Sequence, residues 1–154
     1  MKTIEIIPFS EELAAYFTRL NMDWLEKYFV VEPVDHQMLG NPKQFFIDKG
    51  GFIFFAKLNE DIAGTFALLK ESDNVYELSK MAVSEKYQGM KIGNRMMEFC
   101  IAKAKKLNIA TIILYSNTKL EPAIHLYKKY GFIEVPAINS AYKRSNIKME
   151  LRIR

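Results

Sequence analysis

The sequence predicts an α/β fold in a single domain that spans residues 1–154. Short runs with strand-like patterns alternate along the chain with longer runs of helical period. A chain of 154 residues is the size of one ordinary domain, and such a domain buries roughly 68–70% of its unfolded surface. Hydrophobic residues make up 49% and charged residues 26% of the chain, the balance of a soluble globular protein.

The first half of the chain predicts a strand, a helix, an irregular stretch and a hairpin. Residues 3–9 have the composition of a short strand, and Ser10 opens a helical pattern that continues to residue 29. Residues 31–50 contain two prolines and two glycines, which favour short helical turns and loop. Residues 51–72 predict a hairpin that turns at Asn59, Glu60 and Asp61.

The second half continues the alternation of strands and helices. Residues 74–83 follow a period of two, which would put Glu77, Ser79 and Met81 on one side of a strand. A helical period runs from Ile92 to Leu107, and the apolar run after it predicts a central strand. A short helix and two closing strands are then predicted over residues 121–130, 132–135 and 146–153.

Charge and cysteine content narrow the class of function. The net charge of +4 and pI near 9.0 suit an anionic small molecule but are too modest to indicate nucleic acid. The N-terminal residues reach charge and proline before any long apolar run, so we expect neither a signal peptide nor a membrane span, and a cytoplasmic location. Cys100 is expected to be a small buried hydrophobe, and His36 and His125 lack metal-ligand spacing, so no metal site is predicted.

Two glycines mark the junction between the strand at 74–83 and the helix that follows it. A helix N-terminus presents backbone N–H groups without helical acceptors, and its dipole favours an anion such as phosphate. Gly89 and Gly93 would let the backbone approach the anion, with Gln88 and Lys91 as further donors. The alternative is a tight turn in which glycine only relieves crowding. Neither a P-loop nor a dinucleotide-binding pattern is present.

The segments ELSKMAVSEKYQGMKIGNRMMEFC, IILYSN and AIHLYKKYGF together resemble the GNAT superfamily of acetyl-CoA-dependent N-acetyltransferases over roughly residues 50–135. The family motif is Arg or Gln, two residues, Gly, one residue, then Gly or Ala, and here it reads from Gln88 to Gly93, with Lys91 where glycine is usual. The resemblance implies the GNAT fold, a central mixed, mostly antiparallel twisted sheet of six to seven strands flanked by about four helices. It also implies an acyltransferase that uses acetyl-CoA as co-substrate and no metal.

The resemblance implies a set of coenzyme contacts. They lie on the strand, in the junction, at the end of the next strand and on the following helix: Met81, Ala82, Val83, Gln88, Gly89, Met90, Lys91, Ile92, Gly93, Asn94, Asn117 and Tyr127. Many members have Asn at the position of Leu120, and Asn117 is the substitute expected here for contact with the pantetheine arm. Lys119, Lys128 and Lys129 either join these contacts or form a solvated face.

The resemblance also implies three catalytic roles. Glu77 would remove a proton from the amine, directly or through water, because an alkylammonium has a pKa of roughly 10. The backbone N–H of Met81 would stabilise the oxyanion, and Tyr127 would protonate the leaving thiolate. The alternatives are an exposed strand carboxylate for Glu77, and for Tyr127 a half-buried aromatic residue, with Tyr130 nearby as a second candidate.

The acceptor amine is the least defined part of the prediction. Trp24, Tyr28 and Glu32 are tentative acceptor contacts, and residues 139–145 are a candidate for closing the site. The acceptor would be a small molecule or a protein or peptide, and a homodimer is possible for this family. Two other classes of function stay open, a non-catalytic acyl-CoA-binding sensor or regulatory subunit, and a basic nucleic-acid binder.

Overall fold

The computed structural model describes residues 3–136 and 144–154. The strands are β1 (Ile4–Pro8), β2 (Phe52–Leu58), β3 (Asp61–Lys70), β4 (Val75–Val83), β5 (Thr111–Ser116), β6 (Ile133–Val135) and β7 (Ile147–Arg152). The α-helices are α1 (Ala14–Tyr28), α2 (Pro33–Gly40), α3 (Ile92–Lys106) and α4 (Glu121–Lys129). Short helical turns at Glu11–Leu13, Lys43–Ile47 and Glu85–Tyr87 join them.

All seven of these strands belong to one sheet, in the order β1-β2-β3-β4-β5-β7-β6. The pairing of β4 with β5 is parallel, and every other neighbouring pair is antiparallel. A parallel pair needs a crossover connection, and α3 supplies it. The predicted mixed, mostly antiparallel sheet with flanking helices is therefore confirmed.

Each face of the sheet buries its own apolar cluster. On the α3 face, the helix packs Met96, Met97 and Cys100 against aromatic residues of β2 and β3. On the α1/α2 face, Phe17 and Leu25 of α1 and Met38 of α2 pack against the opposite side of the same strands. Among the described residues, no helix has the length and apolar character needed to cross a membrane.

A β-bulge interrupts β4 in its second half. Ser79 pairs with Ala67 and Ala82 with Thr65, so two residues of β4 stand opposite one residue of β3. Lys80 within this bulge has a left-handed backbone, with φ of 55°. A bulge of this kind leaves an extra residue outside the regular ladder and re-aims the side chains that follow it.

Because of the bulge, the side chains of β4 do not alternate between the two faces of the sheet as the sequence predicted. Glu77 pairs with Leu69 and Ser79 with Ala67, both of which belong to the cluster on the α1/α2 face. Beyond the bulge, Met81 packs against the cluster on the α3 face. The expectation that Glu77, Ser79 and Met81 share one side of β4 is therefore wrong, because the extra residue shifts the alternation by one position.

Strands β4 and β5 separate after a short parallel pairing. The ladder joins Val75–Glu77 to Thr111–Ile113 and ends there, although both strands continue. The separation opens a gap in the middle of the sheet, at the carboxyl ends of the two strands.

The stretch 31–50 is more helical than its prolines and glycines suggested. Pro33 occupies the first turn of α2, and Glu32 and Asp35 form a reciprocal capping box around it. Proline is tolerated in a first helical turn because the N–H it lacks would have had no helical acceptor there. A proline that reads as a breaker thus marks a helix start.

Candidate active site

A cleft of about 870 Å³ passes through the gap between β4 and β5. Five parts of the chain line it: one face of α1, the second half of β4, the β4–α3 junction, the end of β5 with the start of α4, and residues 144–145. Because the gap between β4 and β5 passes through the sheet, the cleft reaches both faces. One half lies beside α3 and α4, and the other lies beside α1 and α2. We call these the coenzyme half and the acceptor half, after the contacts that the resemblance predicts for them.

The coenzyme half contains the N-terminus of α3. The first helical bond runs from the N–H of Arg95 to the carbonyl of Lys91, so the N–H groups of Ile92, Gly93 and Asn94 precede it and have no helical acceptor. The helix N-cap also has no side-chain hydrogen bond. All three residues line the cleft. The junction therefore presents N–H donors that have no acceptor among the described residues, together with the positive end of a helix dipole.

Lys91 has the backbone conformation that favours glycine. Its φ of 60° and ψ of 28° lie in the left-handed region, where a residue with a Cβ is disfavoured by roughly 1–2 kcal/mol. The turn thus keeps a left-handed residue at the position where the resemblance leads one to expect glycine. Gly89, with φ of 83°, has a left-handed backbone as well, and a Cβ there would meet open space.

Tyr130 and Lys129 support the junction from α4 and its end. The ammonium of Lys129 donates to Asn94 Oδ1 at 2.9 Å, and the hydroxyl of Tyr130 bonds Glu98 at 3.0 Å and approaches Asn94 at 3.4 Å. Tyr130 is not among the residues that line the cleft. These contacts fix the first turn of α3 relative to α4.

Tyr127 lies on the side of α4 that lines the cleft. Its side chain is half-buried and its ring centroid is 6.0 Å from that of Phe132. Burial raises the pKa of Tyr127 to about 12. The phenol therefore keeps its proton at neutral pH, as a proton donor must.

Glu77 lies at the point where β4 and β5 separate. Its side chain lines the cleft and the residue is only 5% exposed. The alternative of an exposed strand carboxylate is therefore wrong. Glu77 is close enough to Tyr115 that its charge, together with burial as the larger cause, raises the pKa of that phenol.

Ser79 and Met81 follow Glu77 along the cleft wall. The hydroxyl oxygen of Ser79 is buried and has no hydrogen-bond partner among the described residues. Met81 lies in the part of β4 that pairs with no residue of β5, and both residues line the cleft. The backbone of this segment is thus accessible from the gap.

The cleft brings together most of the predicted coenzyme residues. Ala82, Val83, Gln88 and Gly89 line it. Met90 does not, because its side chain packs against the apolar cluster on the α3 face.

Asn117 lines the cleft, but its amide already has partners within the protein. The side-chain NH₂ donates to the carbonyl of Arg144 at 2.7 Å, and the side-chain oxygen accepts from the N–H of Lys119 at 2.9 Å. These bonds tie the end of β5 to the segment before β7. The predicted contact between Asn117 and the pantetheine arm stays a prediction.

The acceptor half has an aromatic wall on α1. Asn21, Trp24, Leu25 and Tyr28 line the cleft at the spacing of one helix face. The ring centroid of Trp24 is 5.5 Å from those of both Tyr28 and Phe29. The structure thus brings the tentative contacts Trp24 and Tyr28 into the cleft.

A buried ionic cluster forms the base of the acceptor half. Asp35 is fully buried and accepts from Lys80 at 2.7 Å and from both guanidinium nitrogens of Arg144 at 2.7 and 2.8 Å. Arg144 also donates to Glu32 at 3.0 Å. The predicted acceptor contact Glu32 is therefore engaged in an ion pair. We refer to Glu32, Asp35, Lys80 and Arg144 as the ionic cluster.

The pKa shifts in this cluster follow from burial and pairing. Burial disfavours the Asp35 carboxylate, but the bonds from Arg144 and Lys80 outweigh it and lower the pKa to about 2. Burial lowers the pKa of Lys80 despite its bond to Asp35. Asp35 thus remains a carboxylate throughout the physiological range.

Sequence reasoning missed Asp35, Lys80 and Arg144 as site residues. The capping-box spacing of Glu32 and Asp35 was the available signal, but it marks a helix start and says nothing of a partner 109 residues away. Within the predicted closing segment, residues 139–143 lie outside the described part of the chain. Arg144 and Ser145 do line the cleft.

The chain matches the model of the acetyltransferase (GNAT) family over residues 15–132. It is 30% identical to the uncharacterised N-acetyltransferase YvbK of Bacillus subtilis over 104 residues, which is 66% of this chain and 67% of that protein. The protein therefore belongs to the GNAT acetyltransferase family.

Solved structures share the fold. An acetyltransferase of the GNAT family from Staphylococcus aureus superposes with a TM-score of 0.88 at 23% identity, covering 99% of this chain and 100% of that one. A spermidine N-acetyltransferase from Vibrio cholerae, solved in complex with CoA and spermine, gives a TM-score of 0.75 at 18% identity over 97% and 95% of the two chains. At these identities the likeness establishes the fold alone.

Proposed function

We propose that the protein is an N-acetyltransferase that moves an acetyl group from acetyl-CoA to a primary amine of a small molecule or of a protein or peptide. The observation that carries this proposal is one cleft lined by the free N–H groups of α3, by Glu77 and by Tyr127. Acetyl-CoA supplies the thioester, and the residues of the protein bind it, orient it and move protons.

The coenzyme half suits a diphosphate. The amides of Ile92, Gly93 and Asn94 are available, Gly89 leaves open space beside the backbone, and Lys91 adds an exposed cation. Donors at a helix N-terminus bind phosphate oxygens without side-chain rearrangement. These residues therefore fit the coenzyme, and Val83 and Ala82 would border its pantetheine arm.

Glu77 is the proposed acceptor of the amine proton. The free amine is the nucleophile, and an alkylammonium with a pKa of roughly 10 must lose a proton before attack. Glu77 faces the acceptor half at the gap, where the amine would meet the thioester. The proton passes to Glu77 directly or through a water molecule, and a C–N bond forms at the acetyl carbon.

Met81 and Tyr127 are proposed for the remaining two steps. The backbone N–H of Met81 would donate to the oxyanion while the carbon is tetrahedral. When the C–S bond breaks, the electron pair stays on sulfur, and the protonated phenol of Tyr127 supplies a proton to the thiolate. The proton still held by the new amide nitrogen leaves to solvent, and solvent returns a proton to the phenolate. A phenol is protonated at neutral pH even at its usual pKa of roughly 10, and burial raises the pKa of Tyr127 further, to about 12.

The test is the release of free thiol from acetyl-CoA in the presence of a panel of primary amines. Tyr127→Phe should lower kcat by roughly 10²-fold or more, while the affinity for coenzyme A measured by calorimetry changes little. Tyr16→Phe is the matched control, since Tyr16 is exposed on α1 and is not among the residues that line the cleft.

Two results would oppose the proposal. Coenzyme A binding with no amine-dependent thiol release would favour the non-catalytic sensor, for which the comparisons give no support. No binding of any coenzyme A species would remove the coenzyme site itself. A cytoplasmic location and a homodimer stay predictions from sequence and resemblance.

A further inference from the structure

A second, outer groove continues the acceptor half of the cleft toward solvent. Its volume is about 650 Å³, and it shares five of its lining residues with the cleft. The groove is lined by Lys27, Tyr28, Phe29, Val30, Glu32, Lys119 and Arg144. An acceptor whose amine reaches Glu77 would extend its other end into this outer groove.

The outer groove carries an excess of positive charge. Lys27, Lys119 and Arg144 are cations, and Glu32 is the one acidic residue among the described residues that line it. The carboxylate of Glu32 already accepts from the guanidinium and from the backbone N–H of Arg144, at 3.0 and 3.3 Å. Because Glu32 and Arg144 offset each other, Lys27 and Lys119 make the net charge of the groove lining positive.

Within residues 3–136 and 144–154, neither lysine pairs with a carboxylate that lines the groove. The ammonium of Lys119 donates to the carbonyl of Tyr28 at 3.3 Å and lies 4.1 Å from the ring centroid of Phe29. Both partners are uncharged, so Lys119 keeps its full charge. Lys27 pairs with Glu85, but that carboxylate is 67% exposed and outside the groove lining, where solvent screens the pair strongly.

The wall between Glu77 and these lysines is aromatic. Trp24 and Tyr28 line the cleft, and Tyr28 and Phe29 continue into the outer groove. An apolar or aromatic spacer would bury surface against these rings. A second ammonium at the far end would instead meet two cations, and like charges oppose association.

We propose that the acceptor is a monoamine with an apolar or aromatic body and an anionic group at its far end, and that polyamines are excluded. The proposal rests on the proposed acetyl transfer, and it makes Lys119 a specificity-determining residue. Among the structural neighbours, the spermidine N-acetyltransferase from Vibrio cholerae was solved with spermine. The two proteins would then share a fold and differ in the charge of the acceptor they accept.

The experiment uses three phenylethylamines that differ only in the para substituent, which is a carboxylate, a methyl group or an aminomethyl group. We expect kcat/KM to fall in that order, with at least roughly tenfold between the two charged compounds at low salt. Raising the ionic strength should compress the order, because the outer groove is open to solvent.

Two variants assign the effect to Lys119. Lys119→Met should reduce the preference for the carboxylate, and Lys119→Glu should reverse the order of the charged compounds. Lys106→Met is the control, since it removes an exposed lysine on α3 away from the cleft. An aminomethyl compound that reacts as well as the methyl compound in the wild type would overturn the proposal, as would an unchanged order in Lys119→Glu.

A binding measurement separates this proposal from the proposed reaction. Calorimetry with each of the three amines, in the presence of saturating coenzyme A, should give the same order of affinity as turnover. Ordered binding without thiol release would retain the charge preference and reject the acetyl transfer. Thiol release without any charge preference would do the reverse.

Discussion

The two halves of the cleft are built in different ways. The coenzyme half is largely backbone, supplied by the contiguous stretch from Gln88 to Asn94. The acceptor half is side chain, supplied by α1, β4 and the segment before β7, and Asp35 of α2 holds two of these side chains from behind. A backbone site depends on local conformation, whereas a side-chain site depends on the whole fold being in place.

This difference predicts how each half responds to substitution. The coenzyme half tolerates Lys91 where glycine is usual, because the left-handed conformation is kept and the neighbouring amides do not change. The ionic cluster of the acceptor half has no such tolerance, because each member is a partner of another in a buried place. Removing one partner leaves the other charged and desolvated.

The largest expected effect is at Glu77, where the two halves meet. Glu77→Gln removes the base but keeps the shape, and we expect kcat to fall by roughly 10²–10⁴-fold with little change in affinity for coenzyme A. Glu98→Gln is the control, because Glu98 is exposed on α3 and contacts Tyr130. An unchanged pH–rate profile in Glu77→Gln would show that Glu77 does not carry the proton.

The next largest effect is on stability, through Asp35. Asp35→Asn should lower the free energy of unfolding by about 3–5 kcal/mol, since Lys80 and Arg144 would lose a buried counter-ion. Asp48→Asn breaks an ion pair with Lys43 in which both side chains are 48% exposed, and should cost less than about 1 kcal/mol. Denaturant unfolding of both variants makes the comparison, and similar losses would mean that the cluster is not structural.

The pH dependence of the free energy of unfolding should reveal the contribution of Asp35 in the same ionic cluster. The pKa of Asp35 is lowered to about 2 in the folded protein, from roughly 3.9 in an unfolded chain. Its contribution is therefore complete above about pH 4 and is lost as the pH falls toward 2, a change of about 2–3 kcal/mol. Subtracting the profile of Asp35→Asn from that of the wild type should isolate this loss, and a flat difference would contradict it.

The smallest expected effect is at Lys91 in the coenzyme half. Lys91→Gly and Lys91→Asn both accept a left-handed backbone and remove the cation. Each should weaken coenzyme A binding by only a few-fold, about 1 kcal/mol or less, because the amides of α3 remain. A loss of a hundredfold or more in calorimetry would mean that the ammonium, rather than the backbone, dominates the coenzyme half.

The sequence was sufficient to predict most of the fold and to locate the junction before α3 that lines the coenzyme half; that this junction binds coenzyme stays a prediction. The motif from Gln88 to Gly93 is contiguous, and the change from a strand period to a helical period locates it at the start of α3. The hairpin and the succession of strands and helices along the chain were similarly local. Each of these features is encoded within a window of about twenty residues.

The acceptor half could not be predicted because its contacts are distant in sequence. The bulge at Lys80 follows from the register of β3 against β4, which periodicity within one strand cannot reveal. Asp35 and Arg144 meet across 109 residues. The prolines and glycines of residues 31–50, which favoured only short helical turns and loop, also concealed the helix that carries Asp35.

The early separation of β4 from β5 has a consequence for how substrates enter and products leave. Because the gap is open to both faces of the sheet, the two reactants of the proposed transfer can arrive from opposite sides and meet only at its centre. Neither substrate would block the entrance that the other uses. The acetyl group alone would cross the sheet, and the two products would leave by separate exits.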